Sequence, residues 1–561
     1  MHYGAFESQL SSLLEKAVAS SLTSLGIHPL TRLSDIKPEI DSPKERTHGD
    51  ISTNVAMKAC GTAGKDPLYF ANLIKDNLEK ALAASHLKNA IERIETRSPG
   101  FINFFLTKDY LYSGLLEIIR RKHNFGRNAI GGGIKVNLEF VSANPTGPLT
   151  IAHGRQAAVG DSLANILEFL GYRILREYYI NDEGVQIDIL ANSIKFRYLE
   201  LFGVNQKFPD DGYKGSYISE IASAFKNKYE RKFIDTKDLK VFREFGLNRI
   251  LQDIKKDLKD FGVKFDIWYS QRTLRKSGKV EKTIQFLKRK GRIYQKDDAV
   301  WFESTAFGDD KDRVVLKSDD TTTYLAPDIA YHLDKYRRGF KRLVDIWGPD
   351  HHGYIPRMKA AVKALGYPQD SFSALIVQLA TLYRAGRVVS MSTRAGEFVT
   401  LRELMAEVGK DVARFCFLSR RLSSHLDFDL DVIKKESSEN PVYYIQYAHA
   451  RIWSILEHSK KAHYSARFDS KLLREEEELD ILRILRRFPQ AVSISGKTQE
   501  PNIILQYLQD LAAAFHSFYT KRRVLTDSVH LTKSRLVLVD CVRIVLANGL
   551  GLLGISLPKK M

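Results

Sequence analysis

Cysteine is scarce. The 561 residues include 3, Cys60, Cys416 and Cys541, far apart and without the paired spacing of a zinc ribbon or a disulfide framework. That pattern argues against a stapled secreted scaffold and predicts reduced thiols in a cytoplasmic protein. Long apolar runs are missing as well. The most apolar stretch, 536–557, is interrupted by Asp540, Arg543 and several glycines, so it predicts a buried helix and turn, with no membrane span. The N-terminal MHYGAFESQLSSLLEKAV lacks a basic flank followed by an apolar core, which predicts a helix and not a signal peptide. Tandem repeats and low-complexity tracts do not occur. Acidic residues are outnumbered: 67 Asp and Glu against 86 Lys and Arg leave a formal charge of +19. A basic excess suits a polyanionic partner, because each neutralised phosphate releases a counterion. The cations are spread through the chain, as in 226–232, 255–260 and 287–292. Charge therefore supports RNA binding without locating it, and a generally basic, solvated surface is the plain alternative. With 44% apolar and 27% charged residues the chain is not disordered, and its length predicts about three or four domains.

The clearest local pattern is a βαβ unit. Val136, Leu138 and Phe140 alternate with polar residues as a strand does. From about Gly154 the apolar Ala157, Leu163, Ile166, Leu167 and Leu170 recur at helical spacing, and Gly171 stands where a left-handed cap ends the helix. Residues 172–180, rich in aromatic and branched side chains, predict the next strand. Between the first strand and the helix runs SANPTGPLTIAHGR, from Ser142 to Arg155. Such a loop leads into a helix N-terminus, where unpaired N–H groups and the helix dipole favour a phosphate, and His153 stands at that entrance. Taken alone, the loop fits a Pro-rich turn with a buried histidine equally well.

Further along, 190–300 is long, charged and helical in pattern, an expected insertion between two halves of a nucleotide fold whose second half resumes with VWFEST (300–305) and RVVLKS (313–318). The glycines Gly131 to Gly133 mark an expected linker ahead of the first half. In DDTTTYLAPDIAYHLDK, Tyr324 and Asp328 are four apart and share a helix face, with Pro327 suiting a helix start. A carboxylate and a phenol aimed together suit a guanidinium, although a capping or surface role explains the pair as simply. RLVDIWG (342–348) predicts a strand, followed by Pro349, Asp350, His351, His352 and a helix to Gly366; two adjacent histidines supply too few ligands for a metal. After a strand at 373–379 and a loop at 385–401, the chain from about 403 reads as helix after helix. NPVYYIQYAHARI has Asn440 as N-cap and Pro441 at the first helical position, with Tyr443, Tyr447 and Ile452 on one face expected to pack in the core.

NPTGPLTIAHGR, GDSLANILEFLGY and REYYINDEGVQ together resemble the start of the catalytic domain of arginyl-tRNA synthetases, class I enzymes that bind ATP at a His-x-Gly-His motif. Here those positions are Thr150, Ile151, Ala152 and His153. SPGFINFFLT (98–107) resembles the end of the family's N-terminal domain, which contacts the tRNA elbow. TYLAPDIAYH resembles the segment that selects the arginine side chain, and DHHG its neighbour. The 385–401 loop resembles the Lys-Met-Ser-Lys signature, here Ser390, Met391, Ser392 and Thr393, and the ending LGLLGISLPKKM is similar to the family's.

The resemblance implies a multidomain α/β protein. Its parts are a small α+β N-terminal tRNA-contacting domain (1–110), a Rossmann-like class I catalytic domain (130–400, insertion about 190–300) and an all-α anticodon-binding bundle (403–561). It implies ATP-dependent activation of L-arginine and transfer to tRNA(Arg), with Mg²⁺ accompanying ATP, no structural metal, no membrane association and a monomeric chain. By position, His153 with Ser390, Met391, Ser392 and Thr393 is implied as catalytic. Pro145, Thr150, Ala152, His153, Gly154 and His352 are implied for ATP, and Glu139, Ser142, Asn144, Tyr324, Asp328 and His351 for arginine. Arg387 and Arg394 are candidates for the charge that two signature lysines carry in the family. The competing expectations are a synthetase-like RNA-binding protein with weakened catalysis, motivated by Thr150, Ala152, Ser390 and Thr393, and a class I enzyme for another amino acid, which Tyr324 and Asp328 oppose.

Overall fold

The computed structural model describes residues 3–27, 36–43, 45–204, 206–384, 386–388, 399–434, 440–459 and 468–561. At the N-terminus, β1 (Ile51–Thr53), β2 (Ile91–Arg97) and β3 (Phe101–Leu106) form an antiparallel sheet in the order β1-β3-β2. Helices Tyr3–Ser24, Val55–Ala63 and Pro67–Ala83 accompany it. The last of these starts on Asp66, whose carboxylate accepts from the N–H groups of Leu68 and Tyr69, with Pro67 at the position where no N–H is needed.

The central sheet begins with β4 (Lys135–Glu139), β5 (Arg173–Ile180) and β6 (Ile267–Ser270). A separate antiparallel meander follows, β7 (Ile293–Lys296), β8 (Ala299–Phe302) and β9 (Arg313–Leu316), and the chain then returns to the central sheet with β10 (Arg342–Trp347) and β11 (Phe372–Ile376). The central order is β11-β10-β4-β5-β6, every pair parallel. This corrects the expected insertion in two respects. Within 190–300 the strand β6 belongs to the sheet itself, pairing Ile267 with Glu177. VWFEST and RVVLKS lie in the meander, outside the nucleotide sheet. Four-residue strands carry too little pattern to reveal which sheet they join.

Gly131 to Gly133 form a clamped turn: Gly131 N–H donates to Leu170 O at 2.7 Å and Gly133 N–H to Gly171 O at 2.9 Å. Gly171, at φ 86°, ends the helix Ile151–Phe169 as its sequence suggests. That helix lies close on the sheet at Gly160, where an added Cβ would stand 2.3 Å from the Phe140 ring and 2.8 Å from its Cβ. Gly160→Ala would gain about 1 kcal/mol of helix propensity. The clash involves the root of the Phe140 side chain, so repacking costs more, roughly 1–3 kcal/mol. We expect a lower thermal midpoint; an unchanged or higher one would show that the helix can shift.

Beyond β12 (Ala380–Arg384) and β13 (Arg387–Val388), the short strand β14 (Leu426–Asp429) runs parallel to β12, so the C-terminal part is not helix alone. The bundle proper comprises Pro441–Ser459, Glu476–Arg486, Phe488–Thr498, Asn502–Lys521 and Val529–Leu552. Asn440 caps the first of these, its Oδ1 accepting from Val442 N–H at 3.1 Å. The expected aromatic face divides: Ile452 is buried, but Tyr447 is 47% exposed and stacks on His516. The segment 536–557 is the buried helix and turn expected of it, and the chain end docks on the catalytic part, with Ser162 and Arg414 donating to Leu553 O. Among the described residues no helix is long and apolar enough to cross a membrane, and no group of His, Cys, Asp and Glu could hold a metal ion.

Candidate active site

In the central sheet the chain moves outward from β4 through β5 to β6, then crosses back to place β10 on the other side of β4. In such sheets the loops beyond the carboxyl ends separate at that reversal and leave a crevice. A cleft of about 520 Å³ occupies this place. Its lining draws on the end of β4 (Glu139), the following loop (Ser142, Asn144), the helix start (Ala152, His153), the end of β5 (Tyr179) and the residue after it (Asn181), Tyr324 and Asp328, and the end of β10 with His351. The loop after β4 bends sharply, with Val141 at φ 68° and Ser142 at φ 37°. A β-branched residue adopts this conformation only where its surroundings enforce it.

His153 sits at the third position of the helix Ile151–Phe169. Thr150 N–H donates to its Nδ1 at 3.1 Å. A backbone N–H can only donate, so Nδ1 is the acceptor and Nε2 carries the proton of the neutral ring. Burial pulls the imidazole from its usual range to about 4. The ring therefore remains a neutral N–H donor near pH 7. An unfolded chain takes up this proton near 6.5, the folded one only near 4, so the group lowers stability as pH falls through that window. NMR titration of the His153 ring should give a midpoint near 4; a midpoint at 6 or above would refute this environment.

A buried ionic cluster that the sequence did not announce as a unit forms part of the cleft wall, with Lys335 behind it. Lys335 Nζ donates to Glu139 Oε2 at 2.5 Å and to Asp345 Oδ1 at 2.9 Å. Ser142 Oγ donates to Glu139 Oε1 at 2.9 Å, and His332 Nε2 lies 2.9 Å from Asp345 Oδ2. Burial pushes the Glu139 carboxyl up, although Lys335 pulls it back. Burial also opposes ionisation of Asp345, but Lys335 and His332 outweigh it and hold that carboxyl low. One ammonium thus fixes two carboxylates from neighbouring parallel strands.

Asp328, on the first turn of the helix Leu325–Arg337, faces the cleft. Tyr324 and Asp328 both line it. Tyr324 is 77% exposed at the rim, and its link to Asp328 is a backbone hydrogen bond of 3.4 Å. The phenol that meets Asp328 is Tyr354, donating to Oδ2 at 2.6 Å. Burial raises the Asp328 carboxyl and the Tyr354 bond lowers it. Tyr354 escaped sequence reading because its contact spans 26 positions and belongs to a different helix.

Residues 116–416 match the family described as "tRNA synthetases class I (R), catalytic domain", residues 9–106 "Arginyl tRNA synthetase N terminal domain", and residues 445–561 "DALR anticodon binding domain". The chain belongs to the arginyl-tRNA synthetase family. This synthetase is 45% identical to the arginine–tRNA ligase of Geobacillus kaustophilus and 42% identical to that of Bacillus subtilis, each alignment covering 99% of both chains. A structure titled a putative arginyl-tRNA synthetase from Campylobacter jejuni superposes with a TM-score of 0.74 at 33% identity, over 81% of this chain and 100% of that one. The arginyl-tRNA synthetase of Thermus thermophilus gives 0.76 at 22% identity, over 98% of this chain and 100% of that one, a likeness of fold.

Within this synthetase the expected site residues do not all meet. Glu139, Ser142, Asn144, Ala152, His153, Tyr324, Asp328 and His351 line the cleft, whereas Pro145, Thr150, Gly154 and His352 stand outside its lining. Gly154 serves packing, since an added Cβ would lie 2.8 Å from Leu401 and 3.0 Å from Phe417. Thr150 orients His153 and pairs with Thr400, bringing the end of the 385–401 loop beside the helix entrance. Ser390, Met391, Ser392, Thr393 and Arg394 lie outside the described residues. Arg387 is exposed on β13 and does not line the cleft. Arg155, given no role from the sequence, is buried and donates to the carbonyls of Gln378, Arg421 and Ser424, tying the loop after β11 to the helix Ile151–Phe169. Burial pulls its guanidinium down to about 10.

Proposed function

We propose that the chain activates L-arginine with ATP and transfers it to the 3′ end of tRNA(Arg), giving AMP and diphosphate. The observation that carries this reading is one cleft with a neutral imidazole donor at a helix N-terminus on one side and the recessed Asp328 carboxylate on another. The first suits phosphoryl oxygens and the second a guanidinium. Arginine's carboxylate attacks the α-phosphorus of ATP and expels pyrophosphate; a terminal ribose hydroxyl of the tRNA then attacks the activated carbonyl and releases AMP. Neither step needs a protein nucleophile, so the site contributes positioning and stabilisation of phosphate charge.

On this reading Asp328 takes the guanidinium, with Tyr324 closing over it from the rim. Glu139, its oxygens set by Lys335 and Ser142, faces the amino group together with Asn144. His153 faces the phosphates, and Mg²⁺ enters with ATP. Ser390 to Thr393, with Arg387 and Arg394, act at the phosphates. The part up to about residue 110 contacts the tRNA elbow, 130–400 catalyses, and 403–561 reads the anticodon. The chain works as a monomer, and arginine activation waits for bound tRNA. Incubation with ATP, total tRNA and each amino acid in turn tests the reading: charging with arginine alone supports it. RNA binding without charging would favour the weakened, RNA-binding alternative.

A further inference from the structure

Polar groups along one face of β5 are satisfied until the strand reaches the cleft, and there their partners stop. Residues 177 and 179 share this face, because side chains alternate along a strand, and Asn181 directly follows the last strand residue, Ile180. Glu177 is fully buried and saturated: it accepts from Asn137 Nδ2 at 3.1 Å, from Tyr331 Oη at 2.5 Å, and from the Arg338 guanidinium at 2.5 and 2.8 Å. Tyr179 and Asn181, one and two steps further on, line the cleft. Their Oη and Oδ1 atoms are buried, and among the described residues no hydrogen bond reaches either. Such atoms are rare in protein interiors, because each has given up its bonds to water. Two of them, at the end of β5 and just after it, in one ligand cleft call for a ligand that brings donors.

The place of Tyr179 narrows the choice of donor. Its ring is held against Tyr331, with centroids 4.5 Å apart, and its backbone N–H donates to Ser142 Oγ at 3.0 Å. Burial pushes its phenol up, and among the charges acting on it Asp328 comes first and Glu139 second. The hydroxyl therefore stays protonated, in the same cleft that Asp328 lines. Asp328 already has one oxygen engaged by Tyr354. A guanidinium carries five N–H donors in one plane, more than a single carboxylate in this state can satisfy.

We propose that Tyr179 Oη and Asn181 Oδ1 are specificity-determining acceptors, taking the guanidinium N–H groups that Asp328 leaves unpaired. This rests on the arginine reading of the cleft. It assigns the end of β5 and the residue after it to substrate selection, within the REYYINDEGVQ segment, which resembles the family but to which no site residue was assigned from the sequence.

The test uses full-length wild type, Tyr179→Phe and Asn181→Ala with ATP and tRNA. Each variant should raise the KM for arginine by about tenfold, the effect of losing one hydrogen bond to a charged group, and leave the KM for ATP unchanged. Ethylguanidine, which carries the guanidinium without the amino acid end, should weaken in parallel as an inhibitor. The thermal midpoint of Tyr179→Phe should not fall, because only an unpaired hydroxyl is removed; a structural role would lower it. An arginine KM within about twofold of wild type, undiminished ethylguanidine inhibition, or a lower midpoint with impaired ATP binding would each overturn the inference. A wild type that charges no arginine would fail before any variant is made, sinking the functional reading and this inference with it.

Discussion

Lys335→Met is expected to be the most damaging single change in the catalytic part, costing about 3–5 kcal/mol. The side chain is fully buried, and its ammonium holds Glu139 and Asp345 at 2.5 and 2.9 Å. Methionine fills a similar volume, so the cost is electrostatic: two carboxylates remain in a dry interior without their cation. In the wild type, Lys335 holds Asp345 below its ordinary range, a contribution present above the unfolded carboxyl value and lost as pH falls through the folded one. In the variant that sign reverses. At least one carboxyl must then carry a proton to remain buried, so its folded pKa rises above the unfolded value and stability declines as pH rises between them. Denaturant unfolding at about pH 5 and pH 8 separates the cases, since the variant should be weaker throughout and worst at the higher pH. A midpoint equal to wild type at both would mean that the carboxylates do not depend on this ammonium.

For Asp328→Ala we expect kcat/KM for arginine to drop by roughly 30- to several thousandfold, corresponding to about 2–5 kcal/mol for truncating one partner of a recessed charged pair. The KM for ATP should stay near wild type, because His153 and the helix start belong to another wall of the cleft. Alanine also strips Tyr354 of its acceptor, and Asp328→Asn controls for that by keeping an oxygen in place. If Asn restores arginine use, shape matters and charge does not; the guanidinium assignment would then fail. Burial raises the Asp328 carboxyl, and the ionised form is the one that pairs with a guanidinium. Arginine binding should therefore weaken as pH falls through that raised value. Tyr354→Phe removes the bond that lowers it and should move the acid limb to higher pH.

How far the site could be read from the sequence depended on the range of each interaction. Strand, helix entrance and Gly171 cap were legible around residues 136–180 because alternation, helical spacing and capping act over a few neighbours. Asp328 was legible as a residue of the cleft, but the phenol that bonds its carboxylate, Tyr354, was not. Tyr324 is near in sequence, whereas Tyr354 comes close only because two helices pack together. Lys335, Asp345 and Glu139 carried no signal as a unit, since each is an ordinary residue of a helix or strand until β4 and β10 pair.

The sequence by itself determined the order of many elements, the family and eight of the residues that line the cleft, since these depend on local periodicity and on motifs read in order. Only the tertiary structure decided which sheet β6 and the meander strands join, which phenol meets Asp328, and that Tyr179 and Asn181 arrive in the cleft unpaired. Hydrogen-bond satisfaction is a property of neighbours in space, and the two atoms become informative as unpaired acceptors only when the fold removes water from them and supplies nothing in exchange.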